Sequence, residues 1–525
     1  MARIAVIGAG LGAMAASARL ATAGHRVTVY ERAETYGGGV RLYERDGFRF
    51  DTGPGILHLP AVYRDLFVKT GREKLEDVVE LVRLDPAIRH VFPDGTGVSL
   101  PSGSRAGVVA ALDSALGTGA GERWTDMLAR ARTVWDTTRR PLLEEPLTAD
   151  RIPALSAALA RDPYPAVRAR GLLRRRAPTL AEAAWDELRD PRAVSMLTGC
   201  ALDYGLDPEA APAGAAVLAY LEHTFGSWYV RGGMRALADA LYARCTERRV
   251  DFRFGCEVLG LVESDGRAAG VRTAAEGEVA ADAVVLGAAG LPDDPAGQTA
   301  DVPVADVPAM SRLTVLLALR GERPAGTAHR TVVHRDGVHR DGVHGDGMHR
   351  TAAGRGDRAG RGGVAARPVT VLRPDDPSLV PDGGHEAVVL SAAVAPGELQ
   401  GGDEEARRAQ EARLADELTA AADGAGLGLG PRVLWREVRT PRDIERETGA
   451  PGGLVPAPAL AGPRGDAPGR GRGAVDVRPP NRTATKGLYR AGGWAHPGGG
   501  AAHAGMSGAL VAGLIVEGDD WRGSY

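Results

Sequence analysis

The chain has 525 residues, with 64 basic and 67 acidic side chains and a formal net charge of −3. That near-neutral balance gives no general argument for nucleic acid, and 44% apolar residues supply ample cores rather than a disordered acidic chain. Three cysteines without CxxC spacing exclude a disulfide framework and argue against a thiolate zinc site, as suits a reducing cytosol.

The opening carries the most information. Arg3 to Ile7 is a short apolar run, as in a parallel strand buried on both faces. It starts too early to leave room for a signal peptide. Gly8-Ala9-Gly10-Leu11-Gly12-Ala13 follows, then an Ala- and Leu-rich helix from Met14 to Ala23 with Gly24 at its C-terminus. Arg26 to Tyr30 reads as a second strand, ending at Glu31. In such a strand–turn–helix–strand unit, Gly8 permits the tight turn and Gly10 lets the backbone approach a pyrophosphate. Position 13 must be small for the helix to pack on the sheet, and Ala13 is small enough. The helix N-terminus favours phosphate charge. Glu31, 18 residues after Ala13, stands where a carboxylate accepts from ribose hydroxyls, with Arg32 beside it. The fold expected is α/β with a Rossmann-type dinucleotide site.

Residues 86–227 read as mainly helical, with Thr179-Leu180-Ala181-Glu182 as a capping box. Arg151 to Arg176 mixes apolar positions with seven arginines, a composition suited either to an anionic membrane surface or to a solvated helix face. Met234, Leu237, Leu241 and Cys245 recur at helical spacing. Val250 to Val258 alternates as a strand does. Asp265-Gly266 is a hairpin turn between Leu259–Val262 and Ala268–Arg272. Ala283–Leu286 and Leu488–Ala491 are further strands, and Ala504–Val516 an apolar helix. No window is long and apolar enough to span a bilayer.

His329, His334, His339, His344 and His349 recur every five residues. Histidine-rich tracts can bind metal. Period five matches neither helix nor strand, so the repeat reads as an insertion in a solvated loop, with residues 324–367 forming a His/Gly/Arg-rich low-complexity stretch. The organisation expected is a nucleotide-binding domain assembled from residues 1–85, 228–290 and 481–525. A mixed substrate- and membrane-facing domain is then inserted as 86–227 and 291–480.

After Glu31 comes Thr35-Tyr36-Gly37-Gly38-Gly39-Val40-Arg41, then Gly47-Phe48-Arg49-Phe50-Asp51-Thr52-Gly53-Pro54. Trp228-Tyr229-Val230-Arg231-Gly232-Gly233-Met234 and Gly492-Gly493-Trp494-Ala495-His496-Pro497-Gly498 add two more motifs, the latter followed by Ser507-Gly508. Together they resemble the flavin amine oxidase and carotenoid desaturase superfamily, and within it the bacterial-type phytoene desaturases. Val230, Trp494, Ala495 and His503 depart from the usual residues, and 324–367 falls outside the resemblance.

The resemblance implies a glutathione-reductase-like fold with FAD as cofactor. Gly8, Gly10, Gly12, Ala13, Glu31, Arg32, Gly37, Gly38 and Arg41 would hold the adenosine and pyrophosphate, with Val258 meeting the adenine through its backbone. Gly492, Gly493 and Met506 would surround the isoalloxazine, and the last helix would point its N-terminus at that ring. It implies desaturation of a lipophilic isoprenoid polyene, phytoene towards lycopene, with quinone or oxygen as electron acceptor. The enzyme would be cytoplasmic, in peripheral contact with a membrane. The substrate site would be a long apolar tunnel without a diagnostic acid/base motif, lined by Tyr204, Trp228 and Tyr229. Arg231 and His496 are the polar residues nearest a catalytic role. Competing readings are a redox-neutral polyene isomerase or saturase, an amine oxidase, and a flavin-free lipid escort. Many amine oxidases place a lysine near the flavin from mid-chain, and no lysine lies between Lys74 and Lys486.

Overall fold

Arg3–Ile7 pairs in parallel with Arg26–Tyr30 on one side and Ala283–Leu286 on the other. Leu488–Arg490 and Asp251–Arg253 extend this to a five-stranded, all-parallel sheet. The order reads Leu488–Arg490, Ala283–Leu286, Arg3–Ile7, Arg26–Tyr30, Asp251–Arg253, so three distant chain segments build one sheet. Continuous apolar strands suit this, because helices cover the faces of parallel sheets. The first helix, Leu11–Thr22, packs on the last, Ala501–Glu517, and on Met234–Glu247. The computed structural model describes residues 1–166, 177–292, 309–335, 363–399, 401, 403–462, 478–518 and 520–523.

A second lobe is built on a seven-stranded sheet. Its order is Val433–Arg439, Ser311–Arg320, His385–Val394, Val369–Leu372, Arg330–Val333, Ile88–Val91 and Gly97–Leu100. All its pairings are antiparallel except that of Arg330–Val333 with Ile88–Val91. Helices Ala120–Arg139, Leu180–Leu188, Pro191–Asp203 and Val217–Phe225 share one apolar core beside it. Thr179 and Glu182 form the anticipated reciprocal cap of Leu180–Leu188.

Residues 86–227 are mainly helical, as expected, and add two strands, Ile88–Val91 and Gly97–Leu100, each too short at four residues to show a period. Three expectations change. The stretch 250–258 is not one strand. Gly255 takes φ 61°, and its N–H and that of Cys256 bond to the carbonyls of Ala33 and Glu31 before the next strand begins at Val258. A 21-residue helix, Glu404–Gly424, lies within 291–480, where the sequence predicts strands mixed with Pro- and Gly-rich loops. Finally, the histidine repeat begins inside the fold: Arg330–Val333 is a fully buried strand, His334 is buried and His329 half-buried. The β-branched run Thr331-Val332-Val333 outweighs the repeat there. His339, His344 and His349 lie outside the described residues.

Arg151 to Arg176 is described only to residue 166. Helix Ile152–Leu159 turns Pro153, Ala154, Ala157 and Ala158 to solvent, and Arg151 is tied to Glu145 and the carbonyl of Pro146. Among the described residues, no helix is long and apolar enough to cross a membrane.

Candidate functional site

The glycine turn closes as its chemistry requires. Gly8 takes φ 90° and donates to the carbonyl of Tyr30 at 2.8 Å, bending the chain off the first strand. The first helix starts at Leu11 with Gly10 as its cap, no side-chain cap bond and no acid in its first turn. Its amide dipoles are therefore available to an anion. Gly37 donates to the carbonyl of Ala9 at 2.8 Å, which folds the Gly37-Gly38 loop over the turn. A side chain at Gly38 would lie 3.0 Å from the Cα of Gly10, whereas one at Gly39 would meet nothing within 4 Å. Arg41 ties the loop down by donating to the carbonyl of Gly38 at 3.0 Å, and burial lowers its pKa.

Glu31 is buried, and both carboxylate oxygens are held by backbone. Ala9 N–H donates to Oε2 at 2.7 Å and Ala33 N–H to Oε1 at 2.9 Å. A carboxylate has roughly four acceptor sites, so capacity remains for ribose hydroxyls. Arg32 is exposed and donates to the carbonyl of Arg446. Val258 is buried at the start of its strand, in one apolar cluster with Ile7 and Tyr30.

The C-terminal motif meets this turn from the other side. A side chain on Gly12 would lie 2.6 Å from the Cα of Gly492 and 2.7 Å from the carbonyl oxygen of Ala504. One on Gly508 would lie 2.3 Å from the carbonyl oxygen of Gly12. Gly12 thus serves the contact between first and last helices, while Ala13 packs beneath the turn against Gly287. Gly493 and Met506 face the second lobe, Gly493 against Pro456 and Met506 against the helical core. The last helix begins at Ala501 with neither a side-chain cap nor an acid in its first turn.

His496 is fully buried; its Nε2 donates to the carbonyl of Glu145 at 3.0 Å. Its Nδ1 is therefore a lone pair, and it has no partner among the described residues. Burial holds the ring neutral, lowering the pKa to about 4, and does the same to His503. Asn481, which sequence reasoning passed over, and Ser507, named there only as part of the motif, hold this region. Asn481 donates to the carbonyl of His496 at 2.7 Å and accepts from Leu147 N–H at 3.1 Å; Ser507 accepts from Gly492 N–H at 3.0 Å and donates to the carbonyl of His496 at 2.8 Å. Isolated Asn and Ser leave no pattern to find, though Ser507 lay in the motif.

FAD fits these residues. The uncapped helix end, the held carboxylate with acceptor capacity and the free space at Gly39 are what a pyrophosphate and ribose would meet.

Asp51, from the Gly-Phe-x-x-Asp motif, accepts from Met234 N–H at 2.7 Å and Arg235 N–H at 3.1 Å, capping Met234–Glu247. Desolvation outweighs these bonds and raises its pKa to about 6. Arg231 is turned outward, paired with Glu80 at 3.2 Å and donating to the carbonyl of Asp375. The hydroxyl of Tyr229 donates to Asp376 at 2.7 Å, and Trp228 Nε1 donates to the carbonyl of Phe225. Those partners make all three structural ties.

A cavity opens in the second lobe, away from the glycine turn, and Trp228 and Tyr229 do not line it. Its walls are mostly apolar, but its lining includes Glu222, Asp203, Arg330 and His90. Arg330 is 4% exposed and pairs with Asp203 at 2.8 Å and Glu222 at 2.9 Å. Burial alone would raise the pKa of Glu222, but the charge of Arg330 holds it below its usual range. His58 lies 3.6 Å from Glu222, with the Tyr204 ring 6.1 Å from its own. This cavity is not the uncharged tunnel expected. Sequence reasoning missed it because its charges come from Asp203, Glu222 and Arg330, brought together only by tertiary packing.

The family described as flavin containing amine oxidoreductase matches residues 13–290. A phytoene dehydrogenase from Streptomyces griseus is 33% identical over 283 residues, 54% of this chain and 53% of that protein. A 4,4'-diapolycopene oxygenase from Methylomonas sp is 30% identical over 288 residues, 54% of this chain and 55% of that protein. The chain spans about half the length of the curated relatives it matches. An oxidoreductase structure from Methanosarcina mazei superposes over 97% of this chain and 99% of its own, with TM-score 0.58 and 16% identity, which establishes likeness of fold.

Proposed function

This chain belongs to the flavin containing amine oxidoreductases, and from that premise we propose that it is an FAD-dependent desaturase of an isoprenoid polyene, acting on phytoene towards lycopene. The observation that carries the cofactor assignment is the closed glycine turn, with Glu31 fixed by two backbone amides behind it. The half-chain likeness to carotenoid desaturases and oxygenases supports the substrate class.

When bound, FAD supplies a two-electron acceptor for chemistry that side chains cannot perform. The chain's own residues do the rest. Glu31 would hold the ribose hydroxyls, and the amides opening the first helix would hold phosphate charge. Gly37 and Gly38, pinned by Arg41, shield that charge from water. The open N-terminus of the last helix presents positive dipole at the seam between the lobes. His496, neutral through burial, donates to the carbonyl of Glu145 and so ties the C-terminal motif to the second lobe. Desaturation takes two electrons and two protons from adjacent carbons, leaving a C=C bond, and overall these pass to the acceptor, reducing a quinone to a quinol or oxygen to hydrogen peroxide. Contact with a membrane surface would deliver so apolar a substrate.

The test is expression in a phytoene-accumulating host, with pigments separated by chromatography. Conversion to coloured polyenes by flavin-loaded protein is the expected outcome. Unchanged phytoene beside soluble protein with full flavin absorbance refutes the substrate assignment, and protein that stays colourless after FAD addition refutes the cofactor.

A further inference from the structure

Resting on the FAD assignment above, we propose that Tyr36 is the positioning residue that locks the cofactor loop and so sets how fast the dinucleotide leaves. Tyr36 stands directly before Gly37, whose N–H reaches the carbonyl of Ala9 and lays the loop across the glycine turn. At that crossing the loop has little of its own to hold it: one backbone bond, and the approach of Gly38 to Gly10. Two successive glycines, both at positive φ, leave the backbone there free to swing.

What holds the loop is a side-chain clamp on helix Met234–Glu247. Arg235, Asp239 and Tyr242 fall at i, i+4 and i+7 and so share one face of that helix. The Tyr36 ring stacks on that of Tyr242, with centroids 4.1 Å and planes 6° apart, and the Arg235 guanidinium lies 4.1 Å from the Tyr36 centroid. The Tyr36 hydroxyl donates to Asp239 at 2.9 Å, and the same carboxylate oxygen accepts from Arg235 at 2.7 Å. Arg235 also donates to the carbonyl of Tyr36 at 3.0 Å and to the hydroxyl of Thr35 at 3.2 Å. Three helix side chains thus converge on one residue of the loop. The far end of the loop is referred to the same helix. The carbonyl of Arg41 accepts from Thr52 N–H at 3.0 Å, and the neighbouring Asp51 caps Met234–Glu247.

The clamp is built near the surface. Tyr36 and Tyr242 are half-buried, and the Asp239 side chain is 49% exposed. Contacts of that kind add little to the core, so breaking them frees the loop before it unfolds the chain. The amides that would hold pyrophosphate lie beneath the loop, so the loop must lift, and the clamp must break, before the dinucleotide escapes.

The experiment dilutes FAD-loaded full-length protein and passes it through a centrifugal filter at intervals; flavin fluorescence of the filtrate gives the release rate. Tyr36→Ala removes the stack, the cation–ring contact and a bond to a carboxylate, and should release FAD about 10- to 100-fold faster. Tyr36→Phe keeps both ring contacts and should release it about 3- to 10-fold faster. Phe252→Leu is the control: its ring packs on Tyr242 at 4.8 Å from outside the clamp, and its loss should leave the rate unchanged. Should Tyr36→Ala fail to fold, Arg235→Gln is read in its place, with release about tenfold faster. Release from Tyr36→Ala at the wild-type rate overturns this inference alone. So does a Phe252→Leu rate matching that of Tyr36→Ala, which marks general loosening, or a Tyr36→Phe rate equal to that of the alanine variant. Wild-type protein that takes up no FAD overturns it together with the cofactor reading.

Discussion

Two regions of this molecule are held together by opposite means. Where the first and last helices cross, contact is backbone against backbone: Gly12, Gly492 and Gly508 approach so closely that a methyl group on Gly12 would overlap its neighbours. In the seven-stranded lobe, buried ion pairs join the elements. Arg330 bridges Asp203 and Glu222, and Arg373, 3% exposed, and Arg432 share Glu386. The first region carries little side-chain charge and leaves its helix ends open, as a dinucleotide requires. The second carries its charge inside, where each member depends on its partner. The lobe of glycines is therefore vulnerable to added volume, and the lobe of ions to a lost partner.

The largest effect should come from Arg330→Met, which strands two carboxylates. We expect a loss of about 3–5 kcal/mol in urea unfolding, with recovery on combining it with Asp203→Leu and Glu222→Leu. If Arg330→Met costs no more than an exposed substitution, the contrast between the lobes fails. Gly12→Val comes next. The added branches have no room against Gly492 and Ala504, so about 3 kcal/mol should be lost, with flavin absorbance per protein falling in parallel. A variant that keeps both stability and flavin would show that the helices can part without consequence.

The smallest effect sharpens the comparison at Asp51, a charge held by backbone amides rather than by a partner ion. Its folded pKa of about 6 lies above the ordinary 3.8 of the side chain, so the folded state binds the proton more tightly. Its contribution is then fully present below pH 3.8 and is lost as pH rises through 6. Relative to Asp51→Asn, the wild type should lose about 2 kcal/mol between pH 4 and pH 7. A constant difference across that range would show that desolvation does not govern this group.

Much of the nucleotide region was legible because its information is local. Strand Arg26–Tyr30 and the Asp265-Gly266 turn fall where their residues predict them, with positive φ at both turn positions. Glu31 and Gly10 sit together because a strand–turn–helix–strand unit permits little else. The place of Gly12 was less legible: its neighbours Gly492 and Gly508 lie more than 470 residues away, and spacing within the motif cannot report them. His334 was read as part of a solvated repeat, yet it is buried against His90 because Arg330–Val333 pairs with Ile88–Val91.

The amino-acid order alone determined the glycine turn, its acid and the family likeness, since these depend on residues a few positions apart obeying the geometry of one strand and one helix. Tertiary packing decided the rest: that Arg231 faces outward to Glu80, that His496 is buried with its ring donating to the Glu145 carbonyl, and that Asp203, Glu222 and Arg330 charge one end of an apolar cavity. Electrostatic partners are set by distance in space, and only the folded chain brings such separated residues within a few ångströms of one another.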